Sequence, residues 1–189
     1  MKRISIYPIL LSLLSIGFSC ATARKSEKYY QENKVAINEL KSYYNVLYRQ
    51  QPFSAGFTDK SLTYYVMQII TDTLRAIYTS DTRKKELGDN IERFDYDTAL
   101  LRKMAVKMKE VKCLWIGKSN YYMDEQNVPF TFISFGSALV DKPFVEDKYY
   151  ILIFLDEKLE HPELDQRIKK GKLIPVDDLV YFTIGSNYR

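Results

Sequence analysis

The sequence predicts an α+β domain: about three N-terminal helices packed on a C-terminal, four-stranded, mainly antiparallel sheet. Three observations lead there. Apolar residues recur at helical spacing from about Glu27 to Lys109. From Val111 the runs become short, apolar and alternating, separated by turn residues. Helices first and strands afterwards is the order of a segregated α+β fold.

The first helix is expected over residues 27–50, with Tyr30, Ile37, Leu40, Tyr44 and Leu47 on one face. Ser26 offers an N-cap, and Pro52 and Gly56 close the helix in a loop that carries Phe53 and Phe57. A second helix is expected over residues 59–78, on the stripe Leu62, Val66, Ile69, Ile70, Thr73, Leu74 and Ile77. The stretch 79–90 is polar, with Arg83, Lys84 and Lys85 at a solvated tip. A third helix is expected over residues 97–109, capped by Asp97. Leu100, Leu101, Met104, Ala105 and Met108 face inward, and Arg102, Lys103, Lys107 and Lys109 face water.

Strands are expected over residues 111–118, 128–137, 147–156 and 179–184. Turns at 124–127 and 140–143 separate the first three and make them antiparallel neighbours. A short helix over residues 162–170, closed by Gly171, precedes the last strand.

Ahead of this domain stands a different kind of segment. Lys2 and Arg3 are followed by an apolar run over residues 4–18 that ends in Gly17-Phe18-Ser19-Cys20. Crossing a bilayer takes about 20 apolar residues, so the run is too short for a span and suited to an export signal. On these residues the N-terminus resembles a bacterial lipoprotein precursor. The resemblance covers only about the first 20 residues. It implies cleavage between Ser19 and Cys20 and a diacylglycerol on the Cys20 sulfur. The expected division is a signal peptide over 1–19, a lipid-anchored tether over 20–27, and one domain over 28–189. Ala21-Thr22-Ala23 is also an A-x-A pattern, so ordinary cleavage after Ala23 stands as an alternative and would give a soluble periplasmic or secreted protein. No Asp follows Cys20. By analogy with enteric lipoproteins, that places the chain at the outer membrane, facing the periplasm.

The 189 residues carry 28 basic and 24 acidic groups. Losing Lys2 and Arg3 with the signal leaves 26 basic residues and a mature charge of about +2. Nothing in that balance calls for a nucleic-acid partner. Two cysteines exist, and whichever cleavage occurs Cys113 has no partner within the chain. It sits in an apolar run and reads as a buried thiol.

No catalytic constellation is visible. His161 is the only histidine, at the start of the short helix, with no metal-ligand spacing around it. Ser137 lacks the flanking pattern of a nucleophile elbow. Asp95 and Asp97 lack the glycine and closing glutamate of a calcium loop. Asp177 and Asp178 read as a turn, and the glycines form no phosphate loop. No cofactor is called for.

The 16 tyrosines are the compositional oddity, several in adjacent pairs. A tyrosine buries its ring and keeps a wet hydroxyl, so it suits core rims and interfaces. Tyr43, Tyr64, Tyr121 and Tyr122 are the candidates for a partner-binding surface. The functional expectation is a membrane-anchored envelope lipoprotein, docked on the bilayer through Cys20 and on another envelope protein. It would act as a non-catalytic assembly or accessory subunit. A glycan- or lipid-binding module with an aromatic pocket is the alternative, and a carboxylate-dependent envelope hydrolase a further one.

Overall fold

A computed structural model describes residues 7–59, 61–70, 75–84, 94–123, 126–139 and 148–185, with side chains described from residue 24 onward except at residues 75, 126 and 137–139. Among the described residues three helices flank one eight-stranded sheet. The elements are α1 (Tyr7–Gln50), β1 (Phe53–Phe57), β2 (Tyr64–Ile70), β3 (Arg75–Asp81), α2 (Thr98–Glu110), β4 (Trp115–Met123), β5 (Gln126–Leu139), β6 (Lys148–Leu155), α3 (Pro162–Lys169), β7 (Ile174–Asp177) and β8 (Val180–Gly185). The sheet order is β3-β2-β1-β4-β5-β6-β8-β7, and every neighbouring pair is antiparallel.

The four-stranded sheet behind three leading helices is therefore wrong. Residues 59–78, expected as a helix, hold β2 and the start of β3; of that stretch, residue 60 and residues 71–74 lie outside the described residues. The apolar stripe fits a helix by spacing, but the segment is rich in β-branched side chains, and Tyr65, Met67 and Ile69 alternate into the core. Val66 is buried too, on the other face beside Trp115, which hides the alternation. The expected loop after Pro52 is β1, whose Phe53, Ala55 and Phe57 point one way and pack in the core. Residues 174–177 form the edge strand β7, where Pro175 is tolerated, and Asp177, read in the sequence as part of a turn, is its last residue.

The first helix also differs. It does not begin at Ser26 but runs unbroken from Tyr7, so the expected tether over 20–27 is helical. Ser26 is buried inside it. The third expected helix is α2, with the Asp97 carboxylate accepting from the Leu100 N–H at 2.9 Å. Its buried residues are Leu101, Met104, Ala105 and Met108. The short helix is α3, where the His161 ring nitrogen accepts from the Glu163 N–H at 3.2 Å.

Helices α1 and α2 share one core on one face of the sheet, with Tyr30, Ile37, Leu40, Tyr44 and Leu47 against Phe53, Ile116, Ile133, Leu152 and Phe182. Helix α3 closes the other face through Leu164, over Phe130, Phe132, Ile151, Ile153 and Leu155. Strand β6 supplies both, Leu152 and Phe154 to one and Ile151, Ile153 and Leu155 to the other. Each fully buried large apolar side chain contributes about 1.5–3 kcal/mol.

Gly56 sits opposite Trp115 in the β1–β4 pairing, and the indole lies directly on it. A Cβ at residue 56 would overlap both that ring and the Leu114 carbonyl oxygen. Gly56→Ala should lower stability by about 2–3 kcal/mol, the upper range for overpacking a core. Urea denaturation followed by the fluorescence of Trp115, the single tryptophan, checks it. A loss under about 0.5 kcal/mol, the scale of an ordinary surface change, would show that ring and backbone are not in contact.

Candidate functional site

The residues singled out in the sequence fall in separate places. Ser19 and Cys20 lie on the N-terminal half of α1, and their side chains are outside the described set. From residue 25 the helix engages the sheet. Lys25 Nζ lies 5.2 Å from the centre of the Tyr150 ring. Tyr29 stacks on Phe135 at 3.9 Å and donates its hydroxyl proton to the Val111 carbonyl oxygen at 2.5 Å. Tyr30 donates to Asp177 Oδ2 at 3.1 Å, and Lys34 Nζ reaches the same oxygen at 2.5 Å. Burial, reinforced by the Asp177 carboxylate, pushes the Tyr30 phenol up to about 12. Lys34 in turn holds the Asp177 carboxyl below its ordinary range. That ion pair assigns Asp177 to holding α1 on β7.

The four candidate tyrosines are not brought together. Tyr43 is half-buried against the core on α1. Tyr64 opens β2, with the Arg83 guanidinium 5.9 Å from its ring centre. Tyr121 and Tyr122 are successive residues of β4 and so point to opposite faces. Tyr121 is packed between Phe130 and Arg167, whereas Tyr122 is 77% exposed. Tyr30, Tyr44 and Tyr65 are fully buried in the core.

The site sequence reasoning missed is a basic cleft of about 500 Å³ between the end of β3 and α2. The turn after β3 contributes Thr82, Arg83 and Lys84; α2 contributes Arg102, Ala105, Val106 and Lys109, one face of the helix. Lys109 Nζ meets Thr82 Oγ1 at 2.5 Å and ties the walls together. Asp81 holds Arg83 in a bidentate pair, with Nε–Oδ1 at 2.9 Å and Nη2–Oδ2 at 2.6 Å. Val106, 65% exposed, gives the cleft an apolar patch. The sequence read both walls as solvated faces, and only the tertiary meeting of residues 82–84 with 102–109 makes them one cleft. Lys85 of the expected tip lies outside the described residues.

A more polar cleft of about 310 Å³ runs between α1 and α2. There Lys107 Nζ bridges Glu39 and Glu110, at 2.8 Å each.

Cys113 and His161 have structural roles. Cys113 is fully buried, its thiol pushed well above the ordinary range by burial and donating to the Trp115 carbonyl oxygen at 3.3 Å. A nucleophile needs the opposite shift. His161 caps α3. The side chain of Ser137 is outside the described set. Among the described residues no group of three or more His, Cys, Asp or Glu side chains is placed to hold a metal ion.

No protein-family model, curated protein or solved structure matches this chain.

The Asp81–Arg83 pair sets a pH expectation. The Arg83 hydrogen bonds hold the Asp81 carboxyl down to about 2. A depressed carboxylate stabilises the fold above its unfolded value, and that contribution disappears as pH falls through the folded value. The turn beside the cleft should therefore keep its clamp at pH 5 and lose it between about pH 4 and pH 2. Carboxyl carbon NMR of Asp81 checks this, with the midpoint returning to about 4 in Arg83→Ala.

Proposed function

We propose that this protein is a lipid-anchored bacterial envelope protein whose domain serves as a non-catalytic docking subunit for another envelope protein. The observation that carries the reading is the N-terminal pattern: Lys2 and Arg3, the apolar run over 4–18, and Cys20 directly after Gly17-Phe18-Ser19. Cys113 is buried and unpaired, so it does not compete for the Cys20 sulfur in a disulfide. Among the described residues no helix is long and apolar enough to cross a membrane. Two or more acyl chains anchor stably where one does not.

The docking role draws on the basic cleft. Arg83, Lys84, Arg102 and Lys109 around Ala105 and Val106 suit a protein segment that presents carboxylates beside an apolar side chain. The outer membrane, facing the periplasm, is the proposed location, on the absence of Asp after Cys20.

Mass spectrometry of the mature wild-type chain should show an N-terminal Cys20 bearing diacylglycerol, and Cys20→Ala should move the protein from the membrane to the soluble fraction. A mature chain beginning at Arg24 without fatty acid would sink the anchor. For the docking role, crosslinked membranes should yield one defined envelope complex from wild type. Lys84→Glu with Lys109→Glu should weaken its recovery at least tenfold, the scale for reversing two charges in an interface. Unchanged recovery would remove the cleft from the interface.

A further inference from the structure

Helix α1 meets α2 through Glu39, which pairs with Lys107. Lys41, two residues on, lies on nearly the opposite flank of the helix. Its Nζ rests 5.1 Å from the centre of the Phe154 ring on β6. Lys118 of β4 is held in the same way, 5.0 Å from the centre of the Tyr48 ring on α1. Both lysines are half-buried, and among the described residues neither ammonium group has a carboxylate partner. A half-exposed lysine gains little from an aromatic ring and keeps a flexible stem, so either head can swing.

Between the two stands Thr131 of β5. It pairs with Lys118 on one side and with Phe154 on the other, so the three side chains share the face beneath α1, neighbours about 5 Å apart. Thr131 is fully buried, and its Oγ1 has no hydrogen-bond partner. Asn45, four residues from Lys41 and three from Tyr48 on the same flank, likewise has a buried Oδ1 without a partner. Such atoms are rare in a folded chain, because each has given up its hydrogen bonds to water. A hydroxyl donor beneath two unpaired ammonium groups is a donor set for an oxyanion. Asp156, two residues past Phe154, is exposed and pairs with neither lysine. The last described pair of the β4–β5 hairpin, Met123 with Gln126, is five residues or about 17 Å farther along. Strand β1, with Gln51 at its start, lies between Lys118 and the end of β2.

We propose that Lys41, Lys118 and Thr131 hold one phosphate group, as the free ion or as a phosphate ester. The two ammonium groups swing from their rings to face its oxygens, and the Thr131 hydroxyl donates to one of them. A tetrahedral phosphate offers oxygens in several directions to two point charges and a hydroxyl, where a planar carboxylate offers two. The site is separate from the basic cleft, and nothing in it depends on Cys20.

The test is equilibrium dialysis of the full-length chain, in a non-ionic detergent, against labelled inorganic phosphate. Wild type should bind one phosphate per chain, saturably, and added salt should weaken the binding. Lys118→Gln and Thr131→Val should each weaken it about tenfold or more, the scale of a hydrogen bond to a charged group. Thr131→Ser should keep it, and Lys84→Gln, in the basic cleft, should leave it unchanged. Urea denaturation followed by Trp115 fluorescence should show Thr131→Val no less stable than wild type without phosphate, since the change removes a buried hydroxyl that has no partner. Displacement of the label by glycerol phosphate would assign the site to phosphate esters; failure to displace it, to the free ion. Absence of saturable binding, or wild-type binding in Thr131→Val, would overturn the proposal. So would binding lost in Lys84→Gln and kept in Lys118→Gln, which would put the phosphate in the cleft.

Discussion

Helix α1 lies across one face of the sheet, and its contacts bind strands that are far apart in the strand order. Tyr44 donates to the Phe53 carbonyl oxygen of β1 at 2.7 Å, and Tyr30 and Lys34 hold Asp177 of β7. Residues 30 and 44 are about 21 Å apart along the helix. Strands β1 and β7 are about 24 Å apart across five strand spacings. The helix therefore runs nearly straight across the strands and spans six of the eight. Between the two ends it buries Ile37 and Leu40 completely, and Leu47 just past the second end. Without it, the face carrying Ile116, Ile133, Leu152 and Phe182 would be open to water, and α2 alone could not cover it.

Tyrosine suits this arrangement because it spans the gap between core and rim. Tyr29, Tyr30 and Tyr44 bury their rings against Phe135, Phe154 and Phe53, and each hydroxyl reaches a partner, at Val111, Asp177 and Phe53 respectively. A phenylalanine at residue 44 would fill the same space but leave the Phe53 carbonyl oxygen buried without that donor, at a cost of about 1–3 kcal/mol. Three of the 16 tyrosines thus fasten one helix to one sheet. Of the four surface candidates, Tyr122 and Tyr64 are exposed, whereas Tyr43 and Tyr121 are half-buried.

How much was legible follows from the same packing. Helix α2 was readable because one of its faces is dry and the other wet, and because Asp97 caps it. Strand β6 was readable because Tyr149 to Leu155 is apolar throughout, as a strand buried on both faces must be. Strand β2 was not, for a related reason. Tyr65, Met67 and Ile69 serve one core and Val66 the other, so the polar alternation that marks a strand is missing. Strand β1 was hidden because Pro52 and Gly56 look like a loop, although Gly56 is there to let Trp115 lie on the backbone. The basic cleft had no local signal at all, since its two walls are some 20 residues apart in sequence and each is a solvated face when read alone.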